Sequence, residues 1–155
     1  MFTRIDEDPG PRTLQWNDSW AGYPIARQHL LDTLASSRVS NPLILGGDIH
    51  AFIAADQRRD AADSASPIVT SELVTTSVSS GAPPQKVIDA YNRPDCRDVF
   101  FADGSHRGYL RLELAPERLV AEMIGFDSVR TPSANGRVLA RFEMRDGRRG
   151  LSRLD

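Results

Sequence analysis

The stretch Asn41–Asp56, NPLILGGDIHAFIAAD, decides how the rest of the chain is read. An apolar run from Leu43 to Leu45 stops at Gly46 and Gly47, Asp48 and His50 follow at i, i+2, and a second apolar run starts at Ala51. A short strand without polar alternation predicts cover on both faces, as in an α/β layer. At a strand end, side chains i and i+2 share a face, so the spacing sets Asp48 and His50 together while Ile49 turns into the core. The glycines let the backbone bend sharply, and α/β folds carry their chemistry at the carboxyl ends of strands. A carboxylate with an imidazole suits iron, manganese, zinc or a mixed pair with calcium. Two donors do not complete a site, because a two-metal centre needs more ligands to clamp the attacking and leaving oxygens. The competing reading is a turn in which Asp48 caps the backbone and His50 is a half-buried, hydrogen-bonded histidine.

Working outward, residues 1 to 20 are rich in Pro, Gly, Asp and Asn and read as an irregular lead-in anchored by Trp16 and Trp20. Pro24 suits the first turn of a helix. Tyr23, Ala26, Leu30 and Leu34 then fall on one helical face, with Leu31 at its edge and the end near Ser37. AFIAAD (51–56) is strand or helix, too short for periodicity to arbitrate, and residues 56–66 form a loop. PIVTSELVTTSV is a β-branched strand, PPQKVIDAYNRPD a short helix bounded by prolines, and DVFFAD a short strand. GYLRLEL, RLVAEMIGF and RVLARFEM alternate apolar with polar residues, and APER spaces the first two as a hairpin. The tail from Asp146 reads as the end of the domain, with Arg148 and Arg149 solvated.

The chain has 155 residues, 40% hydrophobic and 26% charged, with a net charge of −2. That supports one globular domain and gives no strong electrostatic pull toward nucleic acid or an acidic membrane. No apolar run approaches the roughly 18 residues of a membrane span. The N-terminal stretch lacks the basic and apolar regions of a signal peptide. A lone cysteine, Cys96, excludes an intrachain disulfide framework.

Several ordered elements resemble the alkaline phosphatase D family of calcineurin-like metallophosphoesterases. They are DSWAGY with Trp20, Gly22 and Tyr23, the ARQHLL helix, Asn41–Pro42, and the strand ending in Gly47, Asp48 and His50. SPIVTSELVTTSVSS, HRGY and FEMRDGRRG follow in order, so that the similarity runs from about Trp16 to Gly150. The resemblance implies an α/β, metallophosphoesterase-like β-sandwich with flanking helices, here its C-terminal half only, ending in mostly antiparallel strands. It implies hydrolysis of phosphate esters by metal-activated water at a two-metal site (iron and calcium, or zinc or manganese) in the intact enzyme. Metallophosphoesterases commonly place two histidines one residue apart at this motif; here Asp48 takes the first place and His50 the second, and both carry over as metal ligands. The family's upstream aspartate, tyrosine and asparagine ligands have no counterpart in residues 1–40. The expectation is therefore a single partial domain over 1–155, inactive alone, with a separately encoded N-terminal half as a candidate partner. A non-catalytic structural or interaction fragment is the alternative. The family is typically exported, although no signal peptide is present here.

Other candidates have two readings each. Arg107 could pair bidentately with phosphate or be a surface strand arginine, and Tyr109 could line the substrate or sit half-buried in a sheet. His106 could be a general acid for the leaving group or a solvated loop histidine. Trp20 could line the substrate entrance or anchor the N-terminus. Glu72, inside an apolar strand, needs a partner, which the following TTSVSSG segment could supply. Ser77, Ser79 and Ser80 lack a nucleophile elbow. A half-sheet separated from its cover should expose apolar area.

Overall fold

A computed structural model describes residues 19–155 except 37 and 95. Trp16 lies outside the described residues. A 3-10 turn, Trp20–Gly22, leads into helix α1 (Pro24–Ser36). Strands β1 (Leu43–Gly46), β2 (Phe52–Arg58) and β3 (Ile68–Val74) follow, then helix α2 (Gln85–Tyr91) and β4 (Val99–Asp103). The chain continues through β5 (Arg107–Ala115), β6 (Arg118–Phe126), β7 (Gly136–Arg145) and β8 (Ser152–Arg153). The first sheet has the order β1-β3-β2-β4, with β1 parallel to β3 and the other pairs antiparallel. The second is the antiparallel meander β5-β6-β7-β8.

The alternating apolar residues of the last strands become the inner face of the second sheet. Ala121, Met123, Ala140, Phe142 and Met144 pack against Phe52, Ala54 and Leu73 of the first. The opposite face of the first sheet is closed by α2, whose Ile88 and Tyr91 meet Ala51, Ile53, Ala55, Val74 and Ala102. AFIAAD is thereby resolved as a strand. In the middle of the sheet both faces of β2 are covered, so a continuous apolar run is what that position requires.

Three sequence expectations are corrected. β1 is an edge strand, paired among the described residues with β3 alone, and its cover is partial: Leu43 packs on the core between the sheets and Ile44 against α1, while Leu45 is 57% exposed. On α1 the buried centre is Leu31, which meets Val69 with Leu30, Leu34, Ala35 and Ile44 around it, while Tyr23 lies ahead of the helix and is exposed. In the sheet the helix meets Val69 of β3 and Ile44 of β1, and its Arg27 donates to Gln57 of β2. The tail is structural. Arg149 donates to the carbonyls of Val69, Leu34 and Val39, at 3.1 to 3.2 Å. Leu151 is buried and its N–H donates to Asp56 at 3.1 Å.

Large apolar side chains exposed at the surface include Ile25, Leu45, Val78 and Leu114. No helix among the described residues is long and apolar enough to cross a membrane.

The outer face of the second sheet carries charge ladders. Glu122 accepts from Arg141 at 2.7 and 2.8 Å and from Arg111 Nε at 2.7 Å, in the register Arg111–Glu122–Arg141. Glu143 accepts from Arg145 at 2.6 Å and Arg118 at 3.4 Å. Hydrogen bonds from Arg141 and then Arg111 hold the Glu122 carboxyl below the usual range, and those from Arg145 do the same for Glu143. A depressed folded pKa gives stability that is present above the ordinary carboxylate value and lost as pH falls through the folded one. Burial pushes the Asp56 carboxyl the other way, against hydrogen bonds from Ser71 and Leu151, so its contribution is lost as pH rises. Urea unfolding is expected to show stability falling below about pH 4, with Glu122→Gln flattening that acid limb and Asp56→Asn leaving it in place.

Candidate functional site

The register fixes where the candidate residues meet. Gly46 is opposite Val74, Val74 opposite Ile53, and Ile53 opposite Ala102. The carboxyl ends of β1, β3 and β4 and the amino end of β2 therefore lie side by side. The connections leaving that end are Gly47–Ala51, the Ser/Thr-rich loop after Val74, and the turn Gly104–His106.

Asp48 and His50 do not project together by strand alternation, because β1 has already ended at Gly46. They sit on a turn in which both residues have positive φ, 74° and 60°, and Ile49 N–H donates to Gly47 O at 2.9 Å. This is the rarer, strained hand of γ-turn, centred on Asp48. Left-handed backbone at two non-glycine residues is a cost that folds retain chiefly at functional positions. Ile49 packs against the core on the α2 side, as its spacing predicted.

His50 Nδ1 lies 2.8 Å from the carbonyl oxygen of Gly81. A carbonyl only accepts, so Nδ1 carries the proton and Nε2 is the lone-pair nitrogen of the neutral ring. Thr76 Oγ1 bridges the carbonyls of His50 and His106, at 3.0 and 3.1 Å. The Ser/Thr-rich loop thus joins the Asp48–His50 turn to the His106–Arg107 segment.

Arg107 is buried in that junction. Its Nη1 donates to Ser80 O at 2.7 Å and to Ser77 Oγ at 3.2 Å, its Nη2 donates to Gly104 O, and the next N–H, of Gly108, donates to Ser77 O at 3.2 Å. Burial pushes the guanidinium's pKa down and Asp103 opposes that shift; an arginine stays charged all the same. The His106 ring sits between Asp103, 3.1 Å from Nδ1, and Arg137, 3.0 Å from Nε2, with Asp127 at 3.9 Å. Because Arg137 can only donate, Nε2 accepts and Nδ1–H points to Asp103.

Residues 1–123 match the profile of the PhoD-like phosphatases. The chain belongs to that family. It is 30% identical over 140 residues to "Alkaline phosphatase D" of Bacillus subtilis (strain 168), covering 88% of this chain and 24% of that protein. A solved chain described as "Structure of PhoD" superposes with a TM-score of 0.84 at 24% identity, over 100% of this chain and 30% of its own length. That likeness shows the fold. The PhoD-like chain spans about a quarter of the length of the curated relative it matches.

Within this PhoD-like fold the expected site residues fall on different elements. Asp48, His50, His106 and Arg107 come from two connections held together by the loop after β3. Tyr109 is 47% exposed and lines an open groove of about 260 Å³ with Val78, Phe126, Val129 and Pro132. Trp20 is carried by the 3-10 turn ahead of α1 and is 37% exposed. Glu72 is fully buried and accepts a hydrogen bond from Gln57 at 3.5 Å, with Arg27 in turn donating to Gln57 at 2.7 Å. This donor to Glu72 stands on β2 and not in the expected TTSVSSG segment: Gln57 is two residues along from Ala55, which faces Glu72 in the register. Among the described residues no group of three or more His, Cys, Asp or Glu side chains gathers as a metal cage would. Residue type could not reveal the parts of Ser80 and Gly81, which act through backbone carbonyls, although Thr76 and Ser77 act through their hydroxyls.

Proposed function

We propose that this chain carries the C-terminal part of a metal-dependent phosphoric ester hydrolase, with Asp48 and His50 as metal ligands. The hydrogen bond from His50 Nδ1 to Gly81 O carries this reading. Ligating histidines characteristically donate their other ring N–H to a carbonyl or carboxylate, which fixes the ring and raises the basicity of the bonded nitrogen. Asp48, exposed two residues earlier on the same strained turn, adds a carboxylate. These two groups fit part of a donor set. The remaining ligands would come from the upstream part of a complete enzyme, joined in one polypeptide or supplied as a separate N-terminal half. Metal ions bound there supply Lewis-acid stabilisation of phosphoryl charge and acidify water.

The chain's own residues position that chemistry. The Asp48 turn presents the donors, Gly81 O orients His50, and Thr76 ties the turn to the His106 segment. The Tyr109 groove offers an apolar wall to the organic part of an ester. For His106 to donate a proton to a leaving group, its Nε2 would have to leave Arg137.

The test is manganese-induced broadening of amide resonances, with hydrolysis of p-nitrophenyl phosphate and bis-p-nitrophenyl phosphate assayed beside it. Selective broadening around Gly47–Ala51, abolished by Asp48→Ala or His50→Ala, with neither ester turned over by the chain alone, is the expected result. Broadening unchanged in both variants would overturn the ligand assignment. Turnover by the isolated chain would overturn the partial donor set.

A further inference from the structure

We infer that Arg107 is a positioning residue for His50, acting through the loop Ser77–Gly81 and without touching the substrate. The inference deepens the metal-ligand reading and rests on it for its functional meaning. The guanidinium has three acceptors, Ser80 O, Ser77 Oγ and Gly104 O, and the residue is only 9% exposed. Ser80 immediately precedes Gly81, whose carbonyl holds Nδ1–H of His50. A planar guanidinium with donors in fixed directions grips Ser80 O and Gly104 O at once, so the loop is tied to the turn before β5. Gly108 N–H on Ser77 O adds a second tie from the same strand. Without the clamp the loop would lose its hold on the Gly81 carbonyl. His50 would then drift toward the Nε2–H tautomer that solvated neutral imidazole prefers, which blocks the nitrogen needed for a metal.

The chain has three histidines, His29, His50 and His106, so their ring nitrogens are resolvable by long-range ¹⁵N–¹H correlation. In metal-free protein, at a pH where the rings are neutral, the native His50 is expected as the Nδ1–H tautomer. Arg107→Lys keeps the charge but cannot span both carbonyls. It is expected to shift His50 toward Nε2–H, to leave His29 unchanged, and to weaken the manganese response about 10-fold. Ser77→Ala removes the longer Arg107 bond and the 2.6 Å bond from Ser77 Oγ to Ser80 O but leaves the guanidinium on both backbone carbonyls, and is expected to leave the tautomer in place.

A native His50 in the Nε2–H form, or an unchanged His50 in a folded Arg107→Lys chain, would overturn the inference. A shifted tautomer in a chain that takes up no manganese would uphold the positioning and sink the metal reading. Manganese binding lost in Asp48→Ala with His50 unmoved in Arg107→Lys would do the reverse.

Discussion

Gly108→Ala is expected to cost about 4 kcal/mol or more of stability, in the range reserved for backbone collisions in a packed region. A Cβ at Gly108 would stand 1.8 Å from the carbonyl oxygen of Ile124, 2.9 Å from its carbonyl carbon and 3.1 Å from Gly125 Cα. All three are backbone atoms of β6, the strand paired with β5, so no side-chain rotation relieves the clash. The two strands must separate where Gly108 faces Gly125. Because Gly108 N–H also ties Ser77 O, the variant should lose the manganese response at the Asp48 turn together with its cooperative thermal transition. Gly81→Ala is the matched control. Nothing lies within 4 Å of its added Cβ, so a change within about 0.5 kcal/mol is expected. Equal melting temperatures for the two variants would show that β5 and β6 are not paired in this register.

Phe142→Ala is expected to cost roughly 3–5 kcal/mol, which lowers the melting temperature by about 10 °C for a chain of this size. Phe142 is fully buried between the two sheets, in the cluster that joins Phe52, Ala54 and Leu73 to Ala121, Met123 and Met144. Its removal leaves a cavity where neither sheet can collapse without breaking a strand pairing on the other side. Leu114→Ala, on the same alternating pattern but 74% exposed, should change stability by about 0.5 kcal/mol or less. Similar losses at the two positions in denaturant titrations would mean that the sheets do not share this core.

Period-2 alternation located β5, β6 and β7 because each carries an apolar face turned to the core, buried on β6 and β7 and half-buried at Leu110 and Leu112 of β5, so that face is written in residue order. The proline-bounded segment placed α2 for an equally local reason. α1 was legible as a helix but not in its contact face, since Leu31 is the centre only because Val69 of β3 receives it with Ile44 of β1 beside it. The apolar run showed that β1 is packed on, at Leu43 and Ile44, but not that it stands at the sheet edge, because the same run serves a central and an edge strand.

The candidate site divides the same way. Gly47, Asp48 and His50 are conspicuous in the sequence because donor types at that spacing after glycine are unusual, and the wider order of motifs pointed to the PhoD-like family. Local chemistry and pattern determined that much, along with the strand-rich second half. Only the tertiary structure decided that His50 meets Gly81, 31 residues away, and that Arg107 is buried on loop carbonyls. It also decided that Arg149 secures the end of α1 instead of lying in solvent. Each of these depends on which strand ends align in the sheet, and their acceptors are backbone carbonyls, which every residue carries and no sequence distinguishes.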